Sequence, residues 1–206
     1  KLTPTHITCQ SGSFDNGGNG TFNSNNTFDT LILATGKMYI FEKSTTQTIN
    51  KFITINGKCS GYMYMQSSMA GTYASISKPS GNVTGNYLML KDIRATGGAA
   101  FVANNSVDLG NNPGWTINSI SQTDLYWVGG TGNWTDSSHW ATSSGGVGGA
   151  CSPNPNTNVH FDANSFNGGG QSVTIDQTAY CKSMNWAGAT NAPICTGGQS
   201  LYIYGS

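Results

Sequence analysis

A stretch that repeats at a fixed step constrains a chain strongly, and this one contains such a stretch. Leu31-Ile32-Leu33-Ala34-Thr35-Gly36-Lys37 aligns with Phe52-Ile53-Thr54-Ile55-Asn56-Gly57-Lys58 at a shift of 21 residues, and another 21 reaches Tyr73-Ala74-Ser75-Ile76-Ser77. The first two copies share both the strand and the Gly-Lys turn after it. A period of about 20 to 25 residues, with short strands and sharp turns, is that of one coil of a parallel β-solenoid, each coil lying about 4.8 Å above the last. The expected fold is therefore all-β: a right-handed parallel β-helix or solenoid, elongated, with little or no helix. An antiparallel sandwich is the rival, because Asn16-Gly17, Asn19-Gly20, Asn56-Gly57 and Asn167-Gly168 are the two-residue turns that hairpins favour. Sandwich strands need not resemble one another, so a repeat of strand and turn together favours the solenoid.

Composition agrees. Gly, Asn, Ser and Thr supply 97 of the 206 residues, and only 9% are charged against roughly 25% in ordinary soluble domains. Exposed helices lean on Glu, Lys and Arg; this chain has one Glu and one Arg, while its Thr, Asn and Gly suit strands and turns. Short strands are predicted over 31–34, 37–41, 52–55, 62–65, 73–76 and 87–90. Runs such as Leu31-Ile32-Leu33 and Tyr87-Leu88-Met89-Leu90 do not alternate, so there either both faces of the sheet are expected to be covered or stacked neighbours shield the outer one. In stacked coils equivalent side chains lie over one another, and the abundant Asn and Thr can form ladders along the axis.

From about residue 124 the character changes. Tyr126 to Trp140 holds three of the five tryptophans, a glycine-rich loop over 145–149 follows, and further strands are expected over 158–161, 172–175, 182–186 and 201–204. The expected organisation is solenoid coils over 1–123, then a Trp/Gly-rich loop and more coils over 124–206, continuous with the first part.

Zero formal net charge and a single arginine, Arg94, disfavour nucleic acid and anionic membranes as partners. No run approaches the roughly 18 apolar residues of a membrane span, and Lys1 opens a segment without the parts of a signal peptide, so the chain reads as mature or excised. The five cysteines, Cys9, Cys59, Cys151, Cys181 and Cys195, offer no C-x-x-C and no zinc-ligand grouping. A disulfide among Cys151, Cys181 and Cys195 is one reading of the last third; the other makes Cys59 and Cys181 small buried strand residues.

Two stretches resemble a known kind of protein. Tyr87-Leu88-Met89-Leu90-Lys91-Asp92-Ile93-Arg94-Ala95-Thr96-Gly97-Gly98-Ala99-Ala100-Phe101, running on to Asn111-Asn112-Pro113-Gly114-Trp115, is similar to repeat regions of very large bacterial surface proteins, notably the cell-surface adhesins of gliding Bacteroidota. The Trp127 to Trp140 block, His160-Phe161-Asp162-Ala163-Asn164-Ser165-Phe166 and the closing Leu201-Tyr202-Ile203-Tyr204-Gly205-Ser206 resemble another part of the same repeats. Ala150-Cys151-Ser152-Pro153 departs from the glycine or valine of that pattern. The resemblance implies a β-helical extracellular stalk or adhesin segment at the cell surface, without catalytic residues or cofactors.

β-Helical polysaccharide lyases and hydrolases need clustered carboxylates, but here eight Asp and Glu42 are scattered with no Asp-Asp or Asp-x-Asp pair. His6, His139 and His160 adjoin no nucleophile motif, so the protein is expected to be non-enzymatic. Trp127, Trp134 and Trp140, flanked by Gly and Asn, could stack on sugars if exposed, or could plug the core of a chain short of Leu and Ile. Asn104, Asp108 and Asn111 form a weak calcium candidate lacking a second carboxylate. The strand 201–204 near one end and Leu2 and Ile7 near the other carry no polar cap, so the expected partners are identical or homologous units stacked end to end, either as a tandem repeat or as a polymer, with surface polysaccharide as a further partner.

Overall fold

The computed structural model describes residues 6–14 and 19–205; the Asn16-Gly17 turn and residues 1–5 lie outside the described residues. The chain divides into two compact units, Lys1–Ile120 and Ser121–Ser206, and in each the sheets are almost wholly parallel. Among the described residues strands hold 52% and helix only 2%, which is the all-β solenoid expected, with about eight turns.

The first unit contains β1 (His6–Phe14), β2 (Gly20–Phe22), β3 (Asn25–Leu33), β4 (Met38–Phe41), β5 (Thr46–Ile55), β6 (Met63–Ser67), β7 (Ala74–Lys78), β8 (Asn82–Asn86), β9 (Leu88–Lys91), β10 (Ile93–Gly97), β11 (Ala100–Asp108) and β12 (Trp115–Ser119). One sheet runs β1-β3-β5-β7-β10; the other runs β12-β11-β9-β6-β4-β2, with β8 also beside β11. Apart from β8–β9 and β11–β12, strands adjacent in sequence fall in different sheets, and every pairing between these strands is parallel. That pairing removes the sandwich alternative, whose hairpins would pair sequence neighbours antiparallel.

The repeat is real but uneven. Asn26 pairs with Gln47 at the predicted step of 21, a bulge then shifts the register so that Leu31 lies opposite Ile53, and Thr46 lies opposite Ser75, a step of 29. The predicted third copy at Tyr73 is thus out of register, because the next coil is lengthened. A tight turn in which Lys58 and Gly61 exchange backbone hydrogen bonds precedes β6, and a second turn at Met69–Thr72 follows it.

Alternation decides which side chains enter the core. On β3, Phe28, Leu31 and Leu33 are buried and Ile32 is exposed, so the run Leu31-Ile32-Leu33 does alternate, contrary to the covered faces expected of it. Leu88, Met89 and Leu90 on β9 and Met63, Tyr64 and Met65 on β6 are buried throughout, as expected for runs covered on both sides. The predicted ladders are present. Buried Asn26 donates to the Gln47 Oε1 at 2.8 Å, and on the other sheet Asn86 donates to Asn56 and Asn118 to Asn104.

One corner recurs in left-handed backbone conformation: Ser24 (φ 64°), Ser44 (φ 61°), Gly71 (φ 79°), Asp92 (φ 56°) and Asn111 (φ 60°). Short polar side chains and glycine tolerate this region because they can bond locally or lack a Cβ. Asp92, 1% exposed, accepts from the Gly71 backbone N–H at 3.1 Å and from the Asn111 amide at 2.6 Å, so its carboxylate joins three successive corners.

The second unit contains β13 (Asp124–Trp127), β14 (Gly132–Asn133), a single 3-10 turn at Ser137–His139, β15 (Trp140–Ala141), β16 (Asn158–His160), β17 (Ser172–Ile175), β18 (Ala179–Cys181), β19 (Ser183–Asn185), β20 (Ile194–Gly197) and β21 (Leu201–Ile203). Its sheets are β15-β13-β16-β19, β14-β17-β20 and β18-β21; among the described residues of this unit only β13 and β15 pair antiparallel.

Candidate functional site

The tryptophans form the core of the second unit. Trp127 and Trp140 are fully buried and Trp134 is 2% exposed. Trp140 meets Trp127 and Trp134 edge-on, each with ring centroids 4.9 Å apart, and Phe161 adds a further ring. Their indole N–H groups stay inside: Trp127 donates to the Gly130 carbonyl at 2.6 Å and Trp140 to that of Trp134 at 2.8 Å. The glycan contact considered for Trp127, Trp134 and Trp140 is therefore corrected, since none offers a ring face to solvent. The reason is the shortage of aliphatic side chains, which leaves aromatic rings to fill the coil.

His139 closes the same cluster from its edge, stacking on Trp127 at 4.7 Å and bonding the Val128 carbonyl through Nδ1 at 2.6 Å. A Cβ on Gly132 would collide with the His139 ring, so glycine at that position gives the imidazole its room.

The cysteines depart from the expected set. Cys181 is a buried free thiol in β18 and Cys195 an exposed free thiol in β20, whereas Cys151 and Cys59 are disulfide-bonded. No disulfide thus forms among Cys151, Cys181 and Cys195: Cys151 is oxidised while the other two remain thiols. Cys181 does take the alternative predicted for it, a small buried strand residue, and burial pushes its thiol up to about 11. Cys59 instead sits in the turn between Lys58 and Gly61. Iodoacetamide on the native protein is expected to modify Cys195 and to reach Cys181 only after denaturation; peptide mapping reads this out, and equal labelling of both would contradict the burial of β18.

The calcium candidates are engaged separately. Asn104 accepts from Asn118 at 2.8 Å, Asp108 accepts from the Gly110 N–H and the Asn112 amide, and Asn111 donates to Asp92. Asn104, Asp108 and Asn111 therefore serve a ladder, a turn and a corner, not a shared ligand set. Among the described residues no group of three or more His, Cys, Asp or Glu side chains is placed to hold a metal.

The outer side of β13-β16-β19 carries a polar group that sequence spacing did not bring together. In register, Asp124 lies opposite Asn158 and Asn158 opposite Ser183; one pair along, Tyr126 lies opposite His160 and His160 opposite Asn185. His160 Nε2 donates to Asp124 Oδ1 at 2.9 Å, Asn158 donates to the same oxygen at 3.2 Å, and Ser183 donates to Asn158. Tyr126 stacks on His160 with centroids 4.7 Å apart. The residues come from three coils, 34 and 25 positions apart in the register, so only the coil length could have revealed them.

Hydrogen bonds from His160 and then Asn158 hold the Asp124 carboxyl below the ordinary carboxylate range. Because folding lowers this pKa, the contribution is complete above the unfolded value of about 3.9 and is lost as pH falls through the lower folded value. Stability of the native protein is expected to decline over that acid window, and Asp124→Asn to flatten the decline; denaturation midpoints at stepped pH measure it.

Compared with known proteins, the chain matches no family model, no curated protein and no solved structure.

Proposed function

We propose that the chain is a non-enzymatic structural and adhesive segment of an extracellular protein, stacking end to end with identical or homologous units. The observation that carries the reading is a parallel solenoid joined to disulfide chemistry. Oxidised Cys59 and Cys151 suit an oxidising compartment, while stacked coils give long repetitive faces that serve as spacers and binding surfaces. The polar side chains support it further, since Asn56, Asn86, Asn104 and Asn118 are spent on ladders along the axis. The outermost strands β20 and β21 expose Ile194, Tyr202 and Ile203, which a further coil in the same register would cover.

Membrane-impermeant biotinylation of intact source cells, followed by non-reducing denaturing electrophoresis, tests the proposal. The expected result is surface labelling of either one very large chain or a ladder of stacked units. Labelling only after lysis, or a native 206-residue chain that remains a monodisperse monomer at high concentration, would overturn it.

A further inference from the structure

The outer face of the β1-β3-β5-β7-β10 sheet carries an ordered array of hydroxyls. Thr27, Thr48, Ser77 and Thr96 lie in register on four successive strands, and the backbone register continues the column to Thr8. A second column, two residues back along each strand, holds Asn25, Thr46, Ser75 and Arg94, with Asn25 Oδ1 accepting from the Thr46 N–H and Thr46 opposite Ser75. Phe28, Gln47, Ile49, Ala74, Ile76, Ile93 and Ala95 alternate with these residues and are buried, so the hydroxyls point outward.

Spacing follows from sheet geometry: about 4.8 Å between coils and about 6.6 Å between the two columns. Thr96 bonds the Ile76 carbonyl at 3.5 Å. The hydroxyls of Thr27, Thr46, Thr48, Ser75 and Ser77 have no protein partner among the described residues, so their bonding capacity faces solvent. The array is also nearly uncharged. Arg94 stands at one end with its guanidinium over the Tyr73 ring, and the neighbouring Lys51 is neutralised by Asp29 at 2.8 Å.

A flexible ligand would gain little here, because each hydroxyl contact is weak and ordering the ligand costs entropy. Many weak contacts add up only if the ligand is itself rigid, neutral and periodic, so that every coil engages at once. Ice meets all three conditions: its lattice is uncharged, its oxygens donate and accept as hydroxyls do, and their repeat on the prism face is close to the coil spacing. We infer that this hydroxyl array is an ice-binding face. The inference does not depend on whether units stack end to end.

The full chain, Thr48→Lys and Thr116→Lys are to be compared for thermal hysteresis and ice-crystal shape. Thr48 is central to the array, and exposed Thr116 lies on β12 of the other sheet. Far-UV circular dichroism confirms that each variant folds, and the near-isosteric Thr48→Val tests the hydroxyl without adding bulk. Faceted crystals and a hysteresis gap for the full chain and Thr116→Lys, both lost in Thr48→Lys and reduced in Thr48→Val, are expected. Unshaped crystals from the folded full chain, or equal loss in Thr48→Lys and Thr116→Lys, would overturn the inference. So would co-sedimentation with crystalline cellulose or chitin in the absence of any effect on ice, which would assign the array to a polysaccharide.

Discussion

Trp140→Ala is expected to destabilise the second unit by about 3–5 kcal/mol, the usual cost of truncating a fully buried large aromatic. Trp140 is in ring contact with Trp127, Trp134 and Phe161, so its removal opens a cavity bordered by three rigid side chains that can close only by moving together. The Trp134 carbonyl also loses the indole N–H and keeps only the longer bond from Ser152 at 3.4 Å. Trp140→Phe retains most of the volume and is expected to cost less, its deficit reporting the lost hydrogen bond. Urea unfolding followed by tryptophan fluorescence gives both values. A Trp140→Ala midpoint equal to that of the parent would mean that the rings do not form the core.

Asp92→Ala is expected to cost about 3 kcal/mol, from three contributions at one corner. Alanine in the left-handed region is strained by roughly 1–2 kcal/mol. The Gly71 N–H and the Asn111 amide also both lose a charged acceptor, and hydrogen bonds to charged groups contribute about 1.5–3 kcal/mol each before local relaxation and water recover part of it. Asp92→Asn should be milder, because asparagine tolerates the conformation and its carbonyl oxygen can still accept one bond. Its amide nitrogen would then face a second donor. The order parent, Asn, Ala in thermal midpoint is the test; equal loss in the two variants would remove backbone conformation from the explanation.

Why some of this was legible and some was not follows from the range of each interaction. The strand and Gly-Lys turn at 31–37 and 52–58 are local signals, and they suffice for a coil of about 21 residues and hence for parallel stacking. The polar halves of β3 and β5, Asn25–Thr30 and Thr46–Lys51, have no apolar run to mark them. Their strand state comes from pairing with the coils on either side, and so does the buried Asn26–Gln47 ladder. The step of 29 to Ser75 is equally invisible locally, because it depends on turns at Lys58–Gly61 and Met69–Thr72 that lengthen one coil without interrupting its strands.

Composition by itself determined the secondary-structure class: a chain rich in Gly, Asn, Ser and Thr, with one Glu and one Arg, makes strands and turns. The internal repeat favoured parallel stacking over a sandwich, and the strand pairing then removed the sandwich. Tertiary structure alone decided the placement of side chains. Trp127, Trp134 and Trp140 could have been surface platforms or core by their flanking residues, and burial makes them core. Asp124 and His160, 36 residues apart, and the hydroxyls of Thr27, Thr48, Ser77 and Thr96 have no relation along the chain. The physical reason is that a solenoid converts coil length into proximity, so a side chain's neighbours are set by bulges and inserted turns that sum over a whole coil, and these absorb changes of step while the strands keep their buried face.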